Sequence, residues 1–397
     1  LLLLFILILF TGSCEQGKSA PLEMETLFSL SLGRMEDQID IMQREGEPLE
    51  DSTFLFMRNG LFYISNGASG KISEFTSYGD ILSLYYNPLK NPEPFLVSLP
   101  GSESIRSTKK AYPFPFREIG DIAVSPDREV LVVDRISKNR EEYDESLGVV
   151  LNRIILRFTR DGKFIDYLGQ EGVGGTPLPP VKGLSVTERG DIVVVSRTPK
   201  VWFVYWYTKD GFLQHYYSFQ VENLPVPEEG IIPSLDTIYP DLSEKKVFIK
   251  IDYYSTPKDA SVRGKSKLDF YKSSILPFSM ENNQYGHLID LPRNILVRES
   301  QVAFETERLE VLYNFLGTAK GGYLFLMSPT GKNEQELLIM RENGRVDARV
   351  KLMVKDSEIT YRIFRVTEEG ILCGLLCLDK SVDVVWWRSD KLLEKKK

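Results

Sequence analysis

The feature that most constrains this chain is a unit repeated six times. Each copy is a short strand, a tight turn rich in Gly or charge, and then a very apolar strand. Phe54–Gly60 leads into Leu61–Ile64, and Asp121–Asp127 into Val130–Val133. Gly183–Gly190 leads into Ile192–Val195, Leu235–Glu244 into Val247–Ile251, Leu312–Gly322 into Tyr323–Leu326, and Ile363–Gly370 into Ile371–Cys373. Repetition at this spacing marks an architecture of stacked units, each unable to bury its apolar face alone. No helical periodicity persists for three turns anywhere after residue 26, so the reading is all-β.

A second hairpin follows most copies. Lys71–Gly79 turns into Asp80–Leu84, Arg153–Gly162 into Lys163–Tyr167, and Trp202–Gly211 into Phe212–Phe219. Lys267–Tyr271 with Gly286–Asp290 is a looser version, and Glu336–Gly344 turns into Arg345–Leu352. Asp-Gly and Asn-Gly at the turns carry the positive φ that tight hairpins demand. Four strands per unit and six units predict a six-bladed β-propeller over residues 25–393. The sixth unit has a third strand, Val382–Trp387, and then runs out of chain. Glu25–Gly33 precedes the first unit with no partner of its own. The N-terminal strand is therefore expected to complete the last blade, which removes an open edge.

The repeats resemble NHL-type propeller units, above all Asp121–Gly162 and Gly183–Gly211. Val133-Asp134, Asn152-Arg153-Ile154, Phe158 and Asp161-Gly162 match the strand ends of that repeat. Asn66 stands where the repeat usually has Asp. The resemblance covers nearly all of residues 25–393 and implies a fold without an activity.

Residues Leu1 to Phe10 are uninterruptedly apolar, followed by Thr11-Gly12-Ser13 and Cys14. An apolar run ending at small residues reads as an export signal, here expected to lack its basic n-region. Ten apolar residues fall short of the roughly 20 needed to span a bilayer. Thr11-Gly12-Ser13-Cys14 resembles a bacterial lipoprotein lipobox, which implies diacylation of Cys14 as the first mature residue. Thr11 departs from the usual Leu; spirochaete lipoboxes are looser at that place. Taken together, the chain looks like the propeller lipoproteins of spirochaetes. The resemblance implies a protein exported to the bacterial cell envelope, with residues 14–24 as a tether, and a membrane contact made through the N-terminal lipid. Lys395 to Lys397 close a basic tail, residues 394–397, read as solvated.

The charge pattern narrows the partners. Of 397 residues, 49 are basic and 56 acidic, a formal net charge of −7. Without a basic face, nucleic acid is not an expected partner. Two histidines, His215 and His287, cannot build a multi-histidine metal site. Both fall on expected fourth strands, far from the axis. Cys373 and Cys377 lie on one strand, about 13 Å apart, beyond the roughly 7 Å that a disulfide spans. They are expected as buried thiols. Gly172–Gly175 lacks the helix and Lys of a phosphate loop, and no Gly-x-Ser-x-Gly elbow is present. The acidic loop Glu141, Glu142, Asp144 and Glu145 lacks the Gly-containing pattern of a Ca²⁺ site. Trp202, Trp206, Trp386 and Trp387 fall on third strands, where packing between blades is expected. No catalytic residue, cofactor or metal is assigned.

Long insertions point to one face. Asn87–Phe116 and Gln220–Pro233 join blades; Arg135–Leu151 and Tyr254–Ser266 join strands two and three. In a four-stranded meander both classes of loop lie at the same end, and such insertions commonly mark a binding face. The candidate mouth residues there are Arg117, Asp121, Asp134, Arg135, Lys182, Arg197, Tyr253, Tyr254 and Arg362. Their positive charge suits a polar or anionic ligand, or an envelope protein. The same residues could instead be loop charges paired with Glu118 and Asp121. The alternative function is a hydrolase, or an enzyme of the lactonase or sugar-dehydrogenase type, using a channel metal. The innermost strands offer it mainly Asp121 and Asp236, short of the carboxylate set such a metal needs.

Overall fold

A computed structural model of the chain describes residues 21–41, 53–97, 109–256, 268–299 and 306–394. The apolar segment read as an export signal and Cys14 lie outside these residues, as do part of Asn87–Phe116, most of Tyr254–Ser266, and Lys395 to Lys397. Six sheets of four or five strands succeed one another along the chain. Their innermost strands are Thr53–Arg58, Ile122–Val124, Val181–Val186, Ile231–Pro240, Asn314–Ala319 and Tyr361–Val366. Each of these touches the innermost strand of the blade before and the blade after, the sixth touching the first. The ring is closed and six-bladed.

Closure runs as the repeat predicts. Glu25–Ser31 pairs antiparallel with Ser381–Trp387, from Glu25 opposite Trp386 to Ser31 opposite Ser381. A bulge at Leu27 resets the alternation, so that Phe28 and Leu30 are buried. Leu32, placed by period two on the same apolar face, is instead exposed, because the strand ends at Ser31. Phe28 stands edge-on to Phe62 at 5.8 Å and tilted on Phe75 at 5.6 Å. Both partners belong to blade 1, so this strand finishes blade 6 and also seats it on its neighbour. Leu22 adds a bond to the Lys351 carbonyl, 3.0 Å, on the outer strand of blade 5. The docked chain thus begins inside the segment expected as tether.

One turn recurs between strands. At Thr159 the backbone N–H donates to the Lys163 carbonyl (2.8 Å), and Gly162 N–H returns to the Thr159 carbonyl (2.9 Å). The Thr159 hydroxyl then accepts from the Lys163 N–H. The same pattern stands at Thr76, Ser125, Thr187, Thr208 and Thr367. Local side-chain bonds of this kind compete with strand continuation and stop it. Gly162 has φ +76°, and a Cβ there would sit 2.3 Å from the Tyr112 ring. The glycine thus serves both the turn and a contact with the neighbouring blade.

Four departures from the meander have local causes. Lys110–Pro113 adds a fifth strand to blade 1 and runs parallel to Ile81–Tyr86, because the chain leaves Tyr86 and doubles back along it. The fourth strand of blade 4 is split into Gln284–Tyr285 and Ile289–Asp290. Opposite the break lies Pro277, which has no N–H to donate. His287 is exposed in that break rather than on a strand, whereas His215 lies on the outer strand of blade 3. A hairpin, Asn294–Glu299 with Thr306–Val311, is inserted between blades 4 and 5 and was not foreseen. Asp390–Glu394 forms a short helix, where residue 394 was expected to begin a solvated tail. Cys373 and Cys377 are free and buried, and Trp202, Trp206 and Trp387 are buried on third strands.

Phe28→Ala is expected to cost about 3–5 kcal/mol, seen as a lower denaturation midpoint. Phe212→Ala, at a side chain 67% exposed, should leave the midpoint in place. Deleting residues 22–33 should remove the cooperative transition altogether. Equal midpoints for the two alanine variants would refute the closure argument.

Candidate functional site

The axis of the ring is crossed by one side chain. Arg365, on the innermost strand of blade 6, donates Nη1 to both Asp121 carboxylate oxygens at 3.2 and 3.4 Å. Its Nη2 reaches the Leu184 carbonyl of blade 3 at 2.9 Å. Asp121 in turn accepts the N–H groups of Ile122 and Leu184, each at 2.9 Å. One ion pair therefore joins blades 2, 3 and 6. The guanidinium lies 5.8 Å from the Phe56 ring centre, which adds a fourth blade to the clasp. Burial acts to lower the Arg365 pKa, but the charge and hydrogen bonds of Asp121, with Tyr239 and Cys373 beside it, together outweigh burial and keep the group cationic. Burial pushes the nearby Tyr239 hydroxyl upward, so it stays protonated.

The clasp divides the axis into two small cavities. One of about 30 Å³ lies on the insertion side and is lined by Asp121, Lys182 and Thr237. The other, about 50 Å³, lies toward the turns and is lined by Arg58, Thr367 and Glu368. Asp236, the second carboxylate expected near the axis, pairs with Lys250 at 3.1 Å. That buried lysine also holds Asp252 at 2.8 Å. Among the described residues no group of three or more His, Cys, Asp and Glu stands together as a metal set.

The expected mouth residues separate into four groups. Asp121 and Asp134 are buried organisers. Asp134 accepts the N–H of Glu118 at 2.7 Å and of Arg117 at 3.2 Å, fixing the entry to blade 2. Burial raises its pKa, and those amides partly offset the rise. Arg135 bonds Glu118 at 2.9 Å and Glu141 at 2.8 Å, while Arg153 also reaches Glu118. Arg117, Lys182, Arg197 and Arg362 form the exposed group. Arg197 lies 5.0 Å over Trp202, and Arg362 5.8 Å over Phe364. Tyr253 is not at the mouth. It is buried between blades 3 and 4, its hydroxyl on the Pro225 carbonyl at 2.8 Å. Tyr254, next along the strand, faces the other way and packs edge-on to Phe270 at 6.0 Å. Adjacent strand residues point to opposite faces, so one of the two had to turn inward.

Sequence reasoning selected Arg362 and passed over Arg365. The available signal was a second arginine inside an otherwise apolar strand, Tyr361–Val366. It also missed a polar cavity of about 420 Å³ at the turn-bearing end, where Arg189, Asp191, Lys245, Glu281 and Glu342 meet. Those residues come from turns and strand ends of three blades, so no local motif announces them.

No protein-family profile matches the chain, and no curated protein is similar to it in sequence. Distant likenesses exist among solved structures. The β-propeller domain of the Trilobed protease from Pyrococcus furiosus is 10% identical, over 85% of this chain and 83% of that one, with a TM-score of 0.36. A glucose dehydrogenase is 11% identical, over 92% and 98%, with a TM-score of 0.37. A putative 6-phosphogluconolactonase from Bacteroides fragilis is 13% identical, over 84% and 94%, with a TM-score of 0.32. Likenesses this remote carry no weight for mechanism; the six-bladed arrangement rests on the sheets themselves.

Asp121→Ala is expected to destabilise the domain by about 3–5 kcal/mol, because it strands a buried guanidinium. Adding Arg365→Leu should recover much of the loss. Chemical denaturation of the three proteins checks this, and a double variant no better than the single would argue against the clasp.

Proposed function

We propose that this chain is an envelope-anchored binding or scaffold propeller, lipidated at Cys14, that recognises a polar or anionic partner on its insertion-bearing face. The observation that carries the reading is the closed axis. With Arg365 crossing it, the two axial cavities, about 30 and 50 Å³, are too small for a metabolite, which favours the exposed basic rim over the channel. The rim presents Arg117, Lys182, Arg197 and Arg362 to solvent. The described parts of the insertions, residues 87–97, 109–116, 135–151 and 220–233, belong to the connections at that end, as does the hairpin between blades 4 and 5. The NHL-type strand ends and the Thr11-Gly12-Ser13-Cys14 sequence support a place among propeller lipoproteins such as those of spirochaetes. A channel-metal lactonase or dehydrogenase would need carboxylates open to a metal, and both axial candidates, Asp121 and Asp236, are engaged by cations.

Two measurements test this reading. Cys14→Ser is expected to abolish metabolic acyl labelling and to move the protein out of the membrane fraction; unchanged labelling would sink the anchor. The triple variant Lys182→Glu/Arg197→Glu/Arg362→Glu should reduce capture of the partner from envelope extract at least tenfold by quantitative mass spectrometry. Arg189→Glu/Lys209→Glu, at the opposite end, should leave capture intact. Identical profiles for both variants would remove the rim from consideration.

A further inference from the structure

One loop at the insertion-bearing end holds two large apolar side chains out in solvent. Leu89 is 92% exposed and Phe95 87%. The loop is built to keep them there. Pro88, Pro92 and Pro94 restrict φ along it. Asn87 Nδ2 donates to the Phe116 carbonyl and Asn91 Nδ2 to the Ser69 carbonyl, both at 2.7 Å. Glu36, itself buried, accepts the Phe95 N–H at 2.7 Å and the Leu96 N–H beside it. Lys90 reaches the Arg117 carbonyl at 2.7 Å, which sets the loop against the basic rim. Other connections at this end expose Tyr143, Ile232, Ile295 and Met353. Large apolar groups held in water among cations mark a contact surface.

The tether leaves from the same end. Leu22 is docked on Lys351, just before the outer strand of blade 5 ends at Met353 and enters its connection to blade 6. Cys14 lies eight residues before Leu22, an extended reach of at most about 29 Å. We infer that the insertion-bearing end rests on the bilayer, with Leu89 and Phe95 entering the headgroup layer while Arg117, Lys182 and Arg197 meet anionic headgroups. The inference rests on the anchored reading above and makes the anionic partner of the rim a lipid. Apolar burial and attraction to anionic lipid add at such a contact, and a tether makes even a weak contact persist. Tyr78 and Phe212 are exposed on turns at the opposite end, away from the tether, and serve as the control.

The test uses the mature chain, residues 14–397, with Cys14→Ser, so that no acyl chain contributes. At low salt it should co-sediment with phosphatidylglycerol vesicles about tenfold more than with phosphatidylcholine vesicles, and rising salt should release it. Adding Leu89→Ser/Phe95→Ser should cut that binding about tenfold and leave the denaturation midpoint in place, since both side chains are exposed. Tyr78→Ser/Phe212→Ser should leave binding as it was. No binding to phosphatidylglycerol vesicles, or an equal loss in the two double variants, overturns the inference. Acyl labelling of Cys14 reports the anchor separately, so labelling without vesicle binding keeps the anchor and removes this footing. Loss of envelope-protein capture in the rim variant, again without vesicle binding, would make the rim a protein contact and overturn the inference too.

Discussion

Backbone hydrogen bonds between residues some 350 positions apart hold this ring shut. The ladder joining Glu25–Ser31 to Ser381–Trp387 spans nearly the whole chain. Without it, blade 6 would expose a row of unpaired N–H and C=O groups. Its face toward blade 1 would also lose Phe28 and Leu30 from a shared apolar cluster. Loop-closure entropy grows only slowly with separation, so the cost of joining such distant segments is modest beside the area they bury. The remaining interfaces then become equivalent, because every blade has two neighbours.

Closure at the rim of the ring makes possible the second device, at its centre. A buried ion pair contributes little by itself, because desolvation cancels much of the attraction. Its value here is directional. Asp121 has two backbone donors and one guanidinium, from three blades, and it accepts them only if those blades hold one fixed rotation. Lys250 plays a similar part between the first and second strands of blade 4, holding Asp236 and Asp252 together. Arg128 does so between blades 1 and 2. It reaches Glu74 at 2.6 Å from a turn where it occupies a positive φ of 66°. Charge is thus spent on orientation inside the ring, while the exposed arginines at the rim stay open to solvent.

The ring was legible in the sequence because its determinants are local. Asp161-Gly162 and Asn343-Gly344 mark hairpins wherever they occur, and the apolar second strands between them fix the blade count. The orphan strand at Glu25 was legible by subtraction. What escaped depends on long-range geometry. Arg365 looks like Arg362 until the axis is known. The parallel strand Lys110–Pro113 has no turn signal, since no hairpin joins it to its partner. Tyr253 and Tyr254 read as a pair, but the pleat sends them to opposite faces. The split in the fourth strand of blade 4 could have been read from Pro277, since a proline inside a paired strand leaves one ladder position without a donor.

The docking of the N-terminal strand also sets an order of events in time. Synthesis delivers Glu25–Ser31 first and its partner Ser381–Trp387 last. At roughly 5–20 residues per second, the first strand waits on the order of 20–70 s for the backbone partner it pairs with. Blades 1 to 5 can assemble from neighbours made moments earlier, but the sixth cannot be finished until Ser381–Trp387 has been made. An apolar strand left unpaired for that long is a template for pairing between molecules. A chain built this way needs its amino-terminal strand sheltered until its carboxy-terminal one arrives.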